Sequence, residues 1–267
     1  MRRLRRWLWL GYLCLGCPSL AAHFAPPGAE PRPVREKGQA AMKRGDVDQA
    51  IAIYEQTLAA DPQDACTHLS LAAALLERGD ARAACPHLAV YVRTYPDRLP
   101  IRIHYAELLL RLHRPKEAKA EFEHIVADAQ NEETPSANYL IQCHTRLMEI
   151  AEAQGDEYGE HLHRGIGVYY LACERMVLPD VQGKLSAEGL LCQAAGELAL
   201  ARLERPDEAR PCWYLYEVWT HLDQRNPALK NLREATAAAP FCMLTPAEQR
   251  GLHLAGLKLA NQADARH

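Results

Sequence analysis

Cysteine and histidine are the residues of this chain best suited to chemistry, and their spacing argues against most of it. Cys14-Leu15-Gly16-Cys17 has the spacing of a redox pair. It lies, however, in the apolar core of a targeting-type segment, behind Arg2, Arg3, Arg5 and Arg6, which is no place for a redox centre. The other cysteines are Cys66, Cys85, Cys143, Cys173, Cys192, Cys212 and Cys242. None has zinc-site spacing, and most read as small buried apolar residues at helix contacts. An odd set in an exported chain leaves at least one thiol unpaired. Cys143 and Cys173 fall at mirrored depths on either side of Gly155-Asp156, which makes them the disulfide candidate. His161 and His163 are two residues apart and point to different helix faces, as do the adjacent Cys143 and His144. Surface histidines are the simpler reading. The sequence has no nucleophile elbow, no His-Glu-x-x-His, no phosphate-binding glycine loop and no dinucleotide fingerprint. The expectation is a non-enzyme with no catalytic residues, no cofactor and no metal site.

The elements that would position these residues repeat every 34 positions. Gly45 recurs as Gly79, Ala50 as Ala84 and Ala118, Tyr54 as Leu88 and Phe122, and Pro62 as Pro96. A fixed period of this length means stacked supersecondary units. Glycine in Arg44-Gly45-Asp46 and Arg78-Gly79-Asp80 stops one helix, and the aspartate is suited to cap the next. Pro115 opens a helix in the third repeat, and Asp61-Pro62 and Tyr95-Pro96 close the second helices.

These registers resemble the tetratricopeptide repeat, over 31–64, 65–98 and 99–132. The family's small first-helix residue is matched by Gly38, Ala72 and Ala106. The resemblance implies an all-α fold, a right-handed α-solenoid of helix–turn–helix repeats. Lys37, Thr57 and the missing third proline, at Ala129-Gln130, depart from the pattern. Beyond 132 the period is lost, but helical patterning continues: 136–154, 157–177, 185–203, 227–239 and 245–261. Arg205-Pro206-Asp207-Glu208-Ala209 echoes the third repeat's turn, so 185–203 pairs with a helix carrying Trp213, Tyr214, Tyr216 and Trp219. Thr245-Pro246-Ala247-Glu248 is a capping box, and the last helix, with Arg250, Lys258 and Asn261, would be the polar cap of the stack.

In the family, first helices line a concave groove for a peptide or a partner helix. The matching positions are Arg35, Gln39, Met42 and Lys43, then Leu69, Ala73, Leu76 and Glu77, then Ile103, Glu107, Leu110 and Arg111. Such a groove is basic at one end and apolar in the middle, and fits an extended or amphipathic segment with an acidic end. Ala73 and Ile103 break the family's carboxylate clamp. Leu69, Leu76, Ile103 and Leu110 are equally readable as core.

The chain divides into a signal peptide (1–21), a Pro- and Ala-rich linker (22–33), three repeats (34–132) and divergent hairpins with a terminal helix (133–262). Trp7–Leu15 is apolar but shorter than a bilayer span needs, and Ser19-Leu20-Ala21 suits cleavage. Lipid attachment at Cys17 and an uncleaved anchor are the alternatives. Removing residues 1–21 takes four arginines and no acid, moving the formal charge from −3 to −7. No basic stripe suits nucleic acid. The expected function is a protein–protein interaction scaffold, exported to the periplasm or beyond. An envelope lipoprotein of an assembly complex and a self-associating structural protein are the competing readings.

Overall fold

The structure, a computed structural model, describes residues 33–131, 137–177 and 181–264. The proposed signal peptide and most of the linker lie outside the described residues. All regular structure described is helical: α1 (Pro33–Arg44), α2 (Val47–Ala60), α3 (Ala65–Glu77), α4 (Ala81–Thr94), α5 (Leu99–Arg111), α6 (Pro115–Ala129), α7 (Ala137–Gln154), α8 (Glu157–Met176), α9 (Val181–Glu204), α10 (Ala209–His221), α11 (Arg225–Ala238) and α12 (Pro246–Asp264), with a 3-10 turn at Ala239–Phe241. The fold is all-α and of solenoid type, as the 34-residue period implies. It forms two compact units, one ending at Pro96 with α1–α4 and one beginning at Asp97 with α5–α12.

One turn closes every hairpin that has it. The amides of Gly45 and Asp46 bond back to the carbonyls of Met42 and Ala41, each at 3.0 Å. The same pair of bonds recurs at Gly79/Asp80, His113/Arg114, Gly155/Asp156 and Asp223/Gln224. This is the Schellman closure, which requires a left-handed residue. The residue has φ of 83° at Gly45, 89° at Gly79, 57° at His113, 70° at Gly155 and 55° at Asp223. Five positions after the turn residue, Ala50, Ala84 and Ala118 are fully buried. Nine positions after it, Tyr54, Leu88 and Phe122 fill the space beyond, at most 3% exposed. Gly38 is required by close approach, because any side chain there would strike the Tyr54 ring. Asp80 caps α4 through the Ala83 amide at 3.0 Å, but Asp46 makes no side-chain cap and instead pairs with Arg44.

The turns correct the expected pairing of the second half. Residues 205–208, between α9 and α10, are a four-residue link with proline second, like 61–64 and 95–98 between repeats. They are not the intra-hairpin turn. That turn is at Asp223, so α10 is a first helix and α11 its partner. Counting on from Asp223, Ala228 is 5% exposed, Leu232 is 2% exposed, and Pro240 stands where Pro62 and Pro96 stand. A further repeat therefore lies in register over 209–240. The aromatic run belongs to its first helix. At the α7–α8 turn the corresponding positions are Glu160 and Arg164, so this hairpin packs differently, with Gly165 closed against Leu198 of α9.

The capping box of α12 is present: the Thr245 amide donates to Glu248 Oε2 (2.8 Å) and the Glu248 amide to Thr245 Oγ1 (3.2 Å). Glu248 is 4% exposed and accepts Arg210 Nε at 3.0 Å. The cap is less polar than expected. Arg250 bonds Asn131 at 2.7 Å, but Leu254 and Leu257 are 57% and 47% exposed on the same helix.

Ala228→Leu would overpack the α10–α11 contact and cost about 1–3 kcal/mol, while Ala237→Leu, on the exposed side of α11, would cost little. Urea unfolding midpoints of the two variants check the register.

Candidate partner-binding surface

Because the turn fixes the phase of each hairpin, equivalent positions of the first helices share an environment. The first predicted groove position is wall in every repeat: Arg35, Leu69 and Ile103 are 9%, 7% and 4% exposed, and Trp213 of α10 is 8%. The Arg35 charge acts on the Tyr54 hydroxyl, which burial holds above its usual range. The last position is open in each: Lys43, Glu77 and Arg111 are exposed. Between them, Met42, Leu76 and Leu110 are half-buried, and each offers its carbonyl to the turn that ends its helix.

In the first unit, α1 and α3 therefore present exposed Gln39 and Lys43 beside half-buried Met42, Ala73 and Leu76. In the second unit, Leu110 and Arg111 follow Glu107, whose carboxylate accepts Arg146 Nε of α7 at 2.6 Å. Glu107 is thus partly neutralised by its neighbour.

Pro206 conceals the equivalent residues of α10, because it imitates the turn signal of Pro115. They are Trp213, Glu217, Thr220 and His221. Trp213 and Tyr216 lie with ring centroids 5.4 Å apart. Burial pushes the Glu217 carboxyl above the usual carboxylate range, and Tyr169 opposes this by donating its hydroxyl to Glu217 Oε2 at 3.3 Å. Burial also lowers His221, whose Nε2 is 3.4 Å from the Tyr169 hydroxyl. The signal that would have located this helix is the residue pattern Ala228, Leu232 and Pro240.

His144 departs from the surface reading, and His163 is half-buried against it. His144 is 3% exposed and shares a hydrogen bond with His163, Nδ1 to Nδ1 at 3.1 Å. His68 and His87 repeat this contact at 2.7 Å in the first unit, at the same sequence separation. Such a bond needs one ring to donate and the other to accept, so it exists only while the accepting ring is neutral. Burial, then the Arg210 and Lys119 charges, lower His163 to about 3, against a smaller opposing pull from Asp156. His161 does point elsewhere, to Glu197 of α9 at 2.7 Å.

Cys143 and Cys173 are free thiols in the structure, and they face different elements. Cys143 is fully buried; burial and then the Glu107 charge push its thiol up to about 12. Cys173 lies against Tyr169 and Glu217, on the α10 side. Cys212, likewise buried, is pushed up to about 11. Thiols so raised are protonated near neutrality and poor nucleophiles. Among the described residues, no three His, Cys, Asp or Glu side chains form a metal-binding group, and no helix is long and apolar enough to cross a membrane.

The comparisons with known proteins bear on the repeats alone. A tetratricopeptide repeat family model matches residues 41–88 and 75–142. No curated protein matches the sequence. Among solved structures, a MamA protein is similar at 16% identity over 77% of this chain and 89% of its own, with a TM-score of 0.40. YrrB, described as a TPR protein with an unusual peptide-binding site, is similar at 15% identity over 79% of this chain and 87% of its own, with a TM-score of 0.38. A tetratricopeptide repeat protein from Parabacteroides merdae gives 12%, 83% and 82%, with a TM-score of 0.40. Likenesses this loose carry no argument about what the chain binds.

Two outcomes follow. In native protein a thiol reagent would modify exposed Cys192 quickly and spare Cys143 and Cys212 until the chain unfolds, and the intact mass would show no Cys143–Cys173 bond. The unfolded chain takes up a proton on His163 near pH 6.5, which the folded chain resists down to about 3. The stability His163 contributes is therefore complete above pH 6.5 and is lost as the pH drops through that window, by at most about 1.4 kcal/mol per pH unit and by less where the partly exposed ring meets solvent. His163→Leu would reduce the acid slope in thermal melts by this share, while His144, lowered by burial, keeps its own.

Proposed function

We propose, from the match of residues 41–88 and 75–142 to a tetratricopeptide repeat family model, that the chain is a non-enzymatic protein–protein interaction scaffold of the cell envelope. It would take an extended or amphipathic segment of another protein on its first helices. The observation that carries this reading is the gradation along α1 and α3: a buried wall at Arg35 and Leu69, half-buried apolar Met42, Ala73 and Leu76, then an exposed rim with the cation Lys43 on α1 and Glu77 on α3. Half-buried apolar side chains beside a cation suit a ligand with one or two apolar anchors and an acidic end. On α5, Leu110 and Arg111 offer the same pairing of anchor and charge. The envelope assignment rests on the N-terminal arginines and the apolar run that follows them.

Peptides selected for binding to the purified chain would test this, read by fluorescence anisotropy. Leu76→Glu would weaken them by on the order of thirtyfold, the loss of one anchor, with helix content unchanged. Lys43→Glu would remove any preference for an acidic end and reduce the salt dependence. Equal binding by folded Leu76→Glu would show that Leu76 is not a contact, and loss of helix content would show it to be core; either overturns the reading.

A further inference from the structure

The register places α12 where the first helix of a following repeat would stand, after Pro240. Its outward side carries Leu254 and Leu257, 57% and 47% exposed. Phe241 and Met243, just before it, are 89% and 93% exposed. Between the end of α11, this segment and α12 lies a cleft of about 430 Å³, with Thr236, Pro240, Leu244, Leu252, His253 and Leu257 in its walls and no Asp, Glu, Lys or Arg among its lining residues.

Knob and hole are therefore on one strip of chain: Pro240 and Leu244 wall the cleft, while Phe241 and Met243 stand beside it. A patch that carries both is self-complementary, the condition for a two-fold contact in which each copy gives and receives the same residues. The uncharged lining also lets two copies of an acidic chain meet without burying an unpaired charge. We propose that the chain pairs tail to tail with a second copy, each copy's Phe241 and Met243 seated against the other's α11–α12 cleft. This contact uses none of the first-helix residues proposed to bind a partner, so each reading stands or falls alone.

Sedimentation of the full chain over a wide dilution series tests the pairing. Wild type would populate a dimer that dissociates on dilution. Phe241→Glu with Met243→Glu, at side chains too exposed to support folding, would weaken the dimer by on the order of thirtyfold or more. Leu257→Lys, on the cleft wall, would do the same. A wild type that stays monomeric throughout, as expected if a different protein covers the patch, would overturn the proposal. So would variants that dimerise as tightly as wild type, or an open ladder of higher oligomers in place of a closed pair.

Discussion

One backbone constraint recurs wherever this chain closes a Schellman turn. A single residue in the left-handed region ends the first helix, and two amides bond back over it. This sets the direction in which the second helix leaves. From that phase it follows that the position five residues on faces the first helix closely and must be small. The position nine residues on faces the gap beyond and must be large. Ala50 with Tyr54, Ala84 with Leu88, Ala118 with Phe122 and Ala228 with Leu232 are four solutions of the same geometry. The turn residue itself is less constrained in kind: His113 and Asp223 hold left-handed backbone without being glycine, at a strain of about 1–2 kcal/mol for an ordinary side chain.

The same phase accounts for the surface. A first helix whose back is locked to its partner has a fixed front, so in the three predicted repeats the first, third and last groove positions grade alike, from wall to half-buried shoulder to open rim, while the second is exposed at Gln39 and half-buried at Ala73 and Glu107. Energetically the shoulder matters most. A fully exposed leucine has little wall around it to exclude water, and a fully buried one is unavailable. Met42, Leu76 and Leu110 lie between these limits, which is what the proposed binding of an apolar group would need.

The first three repeats were legible because their matching positions are spaced at a constant period and include glycines. The repeat at 209–240 has the same small and large residues but turns on Asp223, and a nearby Pro206 imitated the turn signal of Pro115. Proline serves two different bends in this fold, the link between repeats and the start of a second helix, and its position alone does not tell them apart. The groove was legible as a set of positions but not as a set of environments, since whether Arg35 or Leu69 is wall or contact depends on neighbours distant in sequence. The paired histidines are hidden in the sequence for a related reason. Spacing along one helix argues against His161 with His163, while the true contact joins His144 and His163 on facing helices.

The central claim is that the front of α1 and α3 meets another protein in the cell. Its most direct test is a photo-reactive amino acid placed at position 76 and, as control, at exposed position 55 on α2, followed by illumination of the native envelope fraction. The account predicts one discrete cross-linked partner from position 76 and none from position 55. Equal cross-linking from both positions, or none from position 76 in a folded chain, would contradict it.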